Sequence, residues 1–373
     1  MVVSAAGDRC AVRGRSDRGN SCPDRGAQSS VQRVALSPSD IERTNPAGWP
    51  EVALELFDRA ITVEYTSLTR AGLPIMMPLT PFLGEDELSV DVSTGLTYPA
   101  KAERARRNPK VCLLFSDPVG SGLSSPPIVL VQGLATVRDA EIQANTDRYV
   151  RLALAKLPAA YKGLPPFVLR RLPGYFARIW IQVTPTRIWW WEARSLDSEP
   201  QHWTAPATTT VPASDPAPSG KQPAAWLEPP ADWRELARHA IDQLEQRDLA
   251  WVGSDGFPLS VPVLDVEQVE DTLRLRLGHH LPANPEGAGC LTFHAHPETF
   301  TGQENHTFLG TVQREKDDYV FAVERALAGF SLVGNRVSRS VHFLRNIRRL
   351  TPRLASEAAR RGQPVPTIHL PSA

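Results

Sequence analysis

The sequence predicts a mainly β protein with peripheral helices, an α+β class chain built as two small β domains in tandem, the second degenerate. Three observations carry this expectation. Short alternating apolar runs are punctuated by Gly and Pro turns in both halves. A Pro, Ala, Ser and Thr-rich stretch separates the halves at 197–231. Landmark residues recur in the same order on either side of that stretch. The expected organisation is a disordered tail over 1–35, a first β domain over 36–196, a linker over 197–231, a second β domain over 232–335, and a basic helix and tail over 336–373.

The 373 residues suit two domains. Lys plus Arg and Asp plus Glu both number 41, so the chain as a whole exerts no pull on nucleic acid or anionic membrane. No apolar run reaches the roughly 18 residues of a membrane span. The N-terminal stretch meets Asp8 and Arg9 before any apolar segment, unlike a signal peptide. A cytoplasmic location is the expectation. Cys10 and Cys22 lie in the polar tail, Cys112 and Cys290 in apolar runs, which is no disulfide framework.

Along the first half, "ITVEYTSL" alternates, "RAGLP" turns, and "PIMMPLTPF" is extended. "LSVDVST" places Leu88, Val90 and Val92 on one face. "KVCLLFSD" and "PIVLVQGLATV" read as further strands, 139–172 as helix broken at "KGLPP", and "YFARIWIQVTPTRIWWW" as strand again. The three consecutive tryptophans must face both sides of that strand, which favours an interface role. Trp203 and Trp226 sit in the linker as pins for its ends. The second half opens with "DWRELARHAIDQLEQRD", where Asp232 is a fitting N-cap and Glu235 sits three residues on. Strands "LAWVGS", "PLSVPVLDV", "TLRLRLG", "GCLTFHAH" and "TFLGTVQ" follow. Val337, Val341, Leu344 and Ile347 give the basic C-terminal stretch one apolar face, so it reads as a docked helix with a wet basic side.

Gly72, Pro74 and Pro78 align with Gly256, Pro258 and Pro262 at an offset of 184. Cys112 and Phe115 align with Cys290 and Phe293 at 178, and Gly133 with Gly310 at 177. The shortening falls where the first half reads "AKAERARRNP". The second half reads "RLRLGHHLPANPEGAG" there, without a counterpart of Lys101 and with almost no room for a helix. A ligand bound through that segment would have one site per chain.

The order strand, G-x-P turn, strand, strand, "AKAERARRNPKVCLLF", then a strand ending in glycine resembles the FMN-binding split β-barrel superfamily. That group includes the pyridoxamine 5′-phosphate oxidases and the deazaflavin-dependent oxidoreductases. The shared pattern is Lys101, a short helix, Asn108-Pro109, Lys110, then Val111, Leu113 and Phe115. The resemblance covers about residues 50–190 directly and 233–330 through the repeat. It implies tandem split β-barrels and an FMN or deazaflavin coenzyme that transfers hydride to or from a small molecule. It also implies that Lys101 contacts the cofactor phosphate with Arg104 nearby. A phosphate needs cations and backbone N–H groups, which a helix N-terminus after a strand supplies. Ser93 and Thr94 at the strand end are hydroxyl donors, and Arg104 lies one helical turn from Lys101. Arg106 and Arg107 read as solvated. The "MPLTP" segment is similar to the deazaflavin branch, which places Pro78 and Thr80 along the ring system. The oxidases carry a basic pair on that strand; here it reads "PIMMPLTPFL", and Arg70 stands before the turn. That departure points away from pyridoxine phosphates and keeps heme, or a cofactor-free structural or regulatory role, as the alternatives.

Members of that superfamily dimerise with the cofactor at the interface. A tandem chain can form that arrangement internally, as a pseudo-dimer, or pair again as a homodimer. Cys290, His294 and His296 share a strand face near His279, His280 and His306. Cys290 mirrors Cys112, which has no histidines around it. The reading is therefore core cysteines and no metal.

Overall fold

The computed structural model describes residues 45–220, 232–331 and 350–371. The expected tail over 1–35, Trp226, and the apolar face of Val337, Val341, Leu344 and Ile347 lie outside the described residues. The first half runs α1 (Glu51–Arg59), β1 (Val63–Leu68), β2 (Pro74–Leu79), β3 (Pro81–Leu83), β4 (Val90–Gly95), α2 (Ala100–Arg107), β5 (Lys110–Phe115) and β6 (Ile128–Arg138). It continues through α3 (Ile142–Lys156), the single turns α4 (Pro158–Tyr161), α5 (Pro166–Leu169) and α6 (Pro173–Phe176), then β7 (Arg178–Trp191) and β8 (Gln201–Thr204). The second half runs α7 (Trp233–Gln243), β9 (Gln246–Val252), β10 (Pro258–Pro262), β11 (Asp265–Val269), β12 (Thr272–Arg276), β13 (Gly287–Ala295), β14 (Glu304–Glu315), β15 (Asp318–Ala326) and β16 (Phe330–Ser331). A last helix, α8, covers 350–360 of the described residues.

Two antiparallel sheets carry the fold. The first is ordered β2-β1-β5-β6-β7-β4-β3 and the second β10-β9-β13-β14-β15-β12-β11, which is the same order strand for strand. This is the mainly β fold expected of a split barrel, and the shared strand order is what the repeat predicts. The landmark glycines explain themselves. Gly72 and Gly256 hold φ of 78° and 76° in equivalent turns. Gly133 and Gly310 sit where β6 and β14 shift register against their neighbours. A Cβ at Gly133 would lie 2.6 Å from Val183 Cγ1 and 2.7 Å from Thr184 O, and one at Gly310 would strike Ala322 O. Gly310→Ala is therefore expected to destabilise the chain by about 1–3 kcal/mol, read as a lower denaturation midpoint.

The first core gathers Phe57, Val92, Leu113, Val131 and Ile181. A second cluster joins Leu249, Trp251, Phe293 and Phe308 to Cys112, Leu114, Leu130 and Trp191 of the first half. Each fully buried Leu or Phe in it contributes about 1.5–3 kcal/mol. Trp190 packs on the first core, whereas Trp189 and Trp191 join the shared cluster, so the tryptophan run does face both ways. Contacts across the seam are reciprocal. Cys112 Sγ lies 3.1 Å from Ser260 Oγ, and Met76 N donates to Cys290 Sγ at 3.3 Å. These are equivalent pairs under the repeat offsets, as an isologous interface requires. All these residues belong to one compact unit.

Four expectations need correction. β4 begins at Val90, and Leu88 is exposed in the turn rather than on the Val90–Val92 face. Glu87 takes φ of 54°, which breaks the alternation before the strand starts. The stretch read as an extended linker pinned at its ends, Trp203 among the pins, is instead held along the first barrel through much of its described part. β8 pairs with β7, Trp203 packs on the core, and Asp215 accepts from the N–H groups of Asp139 and Ala140 at 2.7 and 2.8 Å. The C-terminal segment docks on the first barrel as expected, with Leu354 and Ala358 in its core and Gln363 accepting from Ile142 N at 2.8 Å, but its basic side is not wet there: Arg360 pairs with Glu357 and Arg361 with Glu357 and Asp139. Arg106 is not solvated. It is paired with Asp139 at 2.8 Å and with Glu103 at 3.6 Å. Arg107 is exposed, as expected. No helix of the described residues is long and apolar enough to cross a membrane.

Candidate functional site

α2 forms from strong helix formers, Ala, Lys, Glu and Arg, and ends at Asn108-Pro109, where proline cannot continue it. No side chain caps its N-terminus. One face, Ala102, Glu103 and Ala105, is buried against the barrel. The other carries Lys101 and Arg104, both half-buried.

Arg104 donates Nε to Ser67 Oγ on β1 at 2.9 Å, with Tyr65 and Cys290 of the second sheet alongside. Lys101 stands beside Arg104 and Arg178. Burial first, and then those two guanidiniums, push its ammonium down to about 8. Arg178 opens β7 opposite Gly95. Its guanidinium stacks 4.0 Å from the Tyr149 ring centroid and 5.3 Å from that of Tyr175. Arg353 of α8 donates Nε to Thr97 O at 3.2 Å at the same end of the barrel. Among the described residues, no carboxylate pairs with Lys101, Arg104 or Arg178. Tyr65 Oη, Thr97 Oγ1 and Arg178 Nε are buried without a hydrogen-bond partner. Half-buried cations with orphaned donors around them suit an anion.

The structure thus brings Lys101 and Arg104 together and adds Arg178. The other sequence candidates are placed differently. Thr94 Oγ1 donates to Tyr98 O at 2.8 Å, so its proton is already committed. Ser93 lies on β4 opposite Trp180, two residues before Gly95. Pro78 pairs with Glu64, three residues along β1 from Ser67, or about 10 Å at the strand repeat. Pro78 and Thr80 therefore stand apart from the cations. Arg178 was not evident in sequence. It precedes an apolar strand with no motif, and only the strand pairing puts it beside Gly95.

Among the described residues, two groupings of His, Asp and Glu lie elsewhere. His239 and His306 both bond Glu304 Oε1, at 3.0 and 2.9 Å, near the surface. Glu64, Asp248 and His294 are buried at the seam between the sheets.

No family model matches the sequence, and no characterised relative matches it. Several solved structures are similar in fold. An F420 reductase is 18% identical over 38% of this chain and 98% of its own, with a TM-score of 0.29. A relative of general stress protein 26 of the pyridoxinephosphate oxidase family from Clostridium acetobutylicum is 15% identical, over 41% and 91%, at 0.28. The general stress protein 26 of Bacillus anthracis str. Sterne is 13% identical, over 41% and 95%, at 0.27. The strand order shared by both sheets shows the repeated unit independently of these similarities.

Proposed function

We propose that the protein is an oxidoreductase that holds the phosphate of FMN or of a deazaflavin coenzyme between Lys101, Arg104 and Arg178. The observation that carries this is a group of three adjacent, half-buried cations with no carboxylate among the described residues. Burying like charges together is unfavourable unless an anion joins them. The strand with Pro78 and Thr80 is left for the ring system, and Ser93 adds a hydroxyl at the end of β4. Arg178 and Arg353 supply the positive charge that "PIMMPLTPFL" lacks. When bound, the coenzyme supplies hydride transfer, while the chain supplies position and field. The reciprocal seam contacts support an intrachain pseudo-dimer, with Cys290 of the second sheet beside Arg104.

Titration of the purified chain with FMN and with a deazaflavin, followed by absorbance and fluorescence, tests this. One coenzyme per chain is expected. Arg178→Ala should weaken it about 10–100-fold, since a hydrogen bond to a charged group contributes about 1.5–3 kcal/mol. Folded protein that takes up neither coenzyme overturns the reading.

A further inference from the structure

Glu64 on β1 and Asp248 on β9 occupy equivalent places in the two sheets, opposite Pro78 and Pro262 respectively. The seam brings them together around His294 of β13. His294 Nε2 lies 2.9 Å from Glu64 Oε1 and 3.7 Å from Asp248 Oδ2. A ring nitrogen carries one proton or one lone pair and serves one carboxylate. Asp248 Oδ2 is left buried with no hydrogen-bond partner, although the residue is 0% exposed. A buried oxygen of this kind asks for an explanation.

The outward oxygens of both carboxylates are engaged. Ser116 Oγ lies 2.9 Å from Glu64 Oε2 and 3.0 Å from Asp248 Oδ1. Gln246 Nε2 donates to Ser116 Oγ at 2.6 Å and to Asp248 Oδ1 at 2.9 Å. His294 Nδ1 faces Asp117 Oδ2 at 3.9 Å, and that oxygen is held by His296 Nε2 at 3.1 Å. Each group thus turns one donor atom inward while an outer partner holds or faces the other. Metal ligands are oriented by outer partners in this way. One ligand atom from each of the three residues lies within 4.8 Å of the other two. A tetrahedral ion with bonds of about 2.0–2.1 Å needs ligand atoms about 3.3 Å apart.

We propose that Glu64 Oε1, Asp248 Oδ2 and His294 Nε2 bind one divalent transition-metal cation of the Zn2+ class. Two carboxylates and a neutral imidazole balance its charge, which a buried site requires. Ligands come from both sheets, so the ion is a structural clamp across the seam. It lies at the far end of β1 from Ser67 and is independent of the phosphate pocket.

Metal-stripped full-length chain is loaded with Zn2+, desalted, and assayed for metal by elemental analysis. One retained ion per chain is expected, both in the wild type and in His239→Ala, which dismantles the exposed His239–Glu304–His306 grouping. Glu64→Gln and Asp248→Asn should lose it, and Ser116→Ala, which removes an outer partner, should weaken retention about 10–100-fold. Co2+ loading should give visible bands of a tetrahedral nitrogen and oxygen site, absent in Asp248→Asn. A folded wild-type chain that retains no ion overturns the proposal. So does loss of the ion in His239→Ala, or full retention in both carboxamide variants. If those variants fail to fold, the wild-type and His239→Ala measurements decide.

Discussion

Arg361→Met is expected to destabilise the chain by about 3–5 kcal/mol, the cost of stranding a buried carboxylate whose cation is removed. Arg361 stands where α8 meets α2 and the start of α3, with its side chain 2% exposed. Its Nε lies 2.8 Å from Asp139 Oδ2, its Nη1 2.7 Å from Glu357 Oε2 and its Nη2 3.4 Å from Glu103 Oε1. Arg106 and Arg360 complete the group, so three carboxylates face three guanidiniums. Methionine keeps the length and apolar stem but removes the charge, and Asp139 and Glu357 then share fewer cations than they need. Arg107→Ala, on the exposed side of α2, should stay within about 0.5 kcal/mol. Chemical denaturation at unchanged slope gives both values. Hydrogen exchange adds a readout that places the effect. Amides of 350–360 should lose protection in Arg361→Met well before those of β5 and β6, because the substitution unlatches α8 from the first barrel. If Arg361→Met and Arg107→Ala prove equally mild, the network contributes no net stability.

That network also shows why sequence reading stops where it does. The repeat was legible because its landmarks are local. A G-x-P turn, a cysteine in an apolar run and a glycine at a register shift each mark one backbone event, and their common order carried over to identical strand orders. The α2 segment was legible for the same reason: helix formers, then Asn108-Pro109, then a buried strand. Arg106 and Arg107 are adjacent in that segment, yet one is paired inside and the other is wet. Only the placement of Asp139 and of the linker distinguishes them. The C-terminal arginines show the same problem at longer range. A basic run reads alike whether water or Glu103 and Asp139 surround it, and those partners lie more than two hundred residues away. Glu64 was a single charged residue in its strand, and His294 one of a cluster of histidines read as having no metal. Their meeting required both the sheet order and the seam.

Lys101→Met is expected to weaken coenzyme binding about 10–100-fold at neutral pH and to remove its dependence on pH. The sign follows from the position of the ammonium. Burial and the neighbouring Arg104 and Arg178 bring it from 10.5 down to about 8. A bound phosphate favours the charged form, so the lysine of the complex titrates higher. Below about 8 the ammonium is present before and after binding, and affinity is flat. Above it, binding must take up a proton, and affinity falls by up to about tenfold per pH unit until the lysine of the complex titrates. Stability of the coenzyme-free chain moves the other way. Between about 8 and 10.5 the unfolded chain holds more protons on this lysine than the folded one, so the folded state gains as pH rises through that window. Below it, the folded chain carries the full penalty of a desolvated charge, which Lys101→Met relieves. The variant should therefore melt higher than the wild type at neutral pH while binding less, the trade expected where a site is built for its ligand at the expense of the empty fold. Calorimetric titration at pH 9 in two buffers of different ionisation heat measures the proton. Uptake in the wild type and none in Lys101→Met is the expected pair. Equal proton uptake in both would place the titrating group elsewhere and leave Lys101 outside the phosphate site.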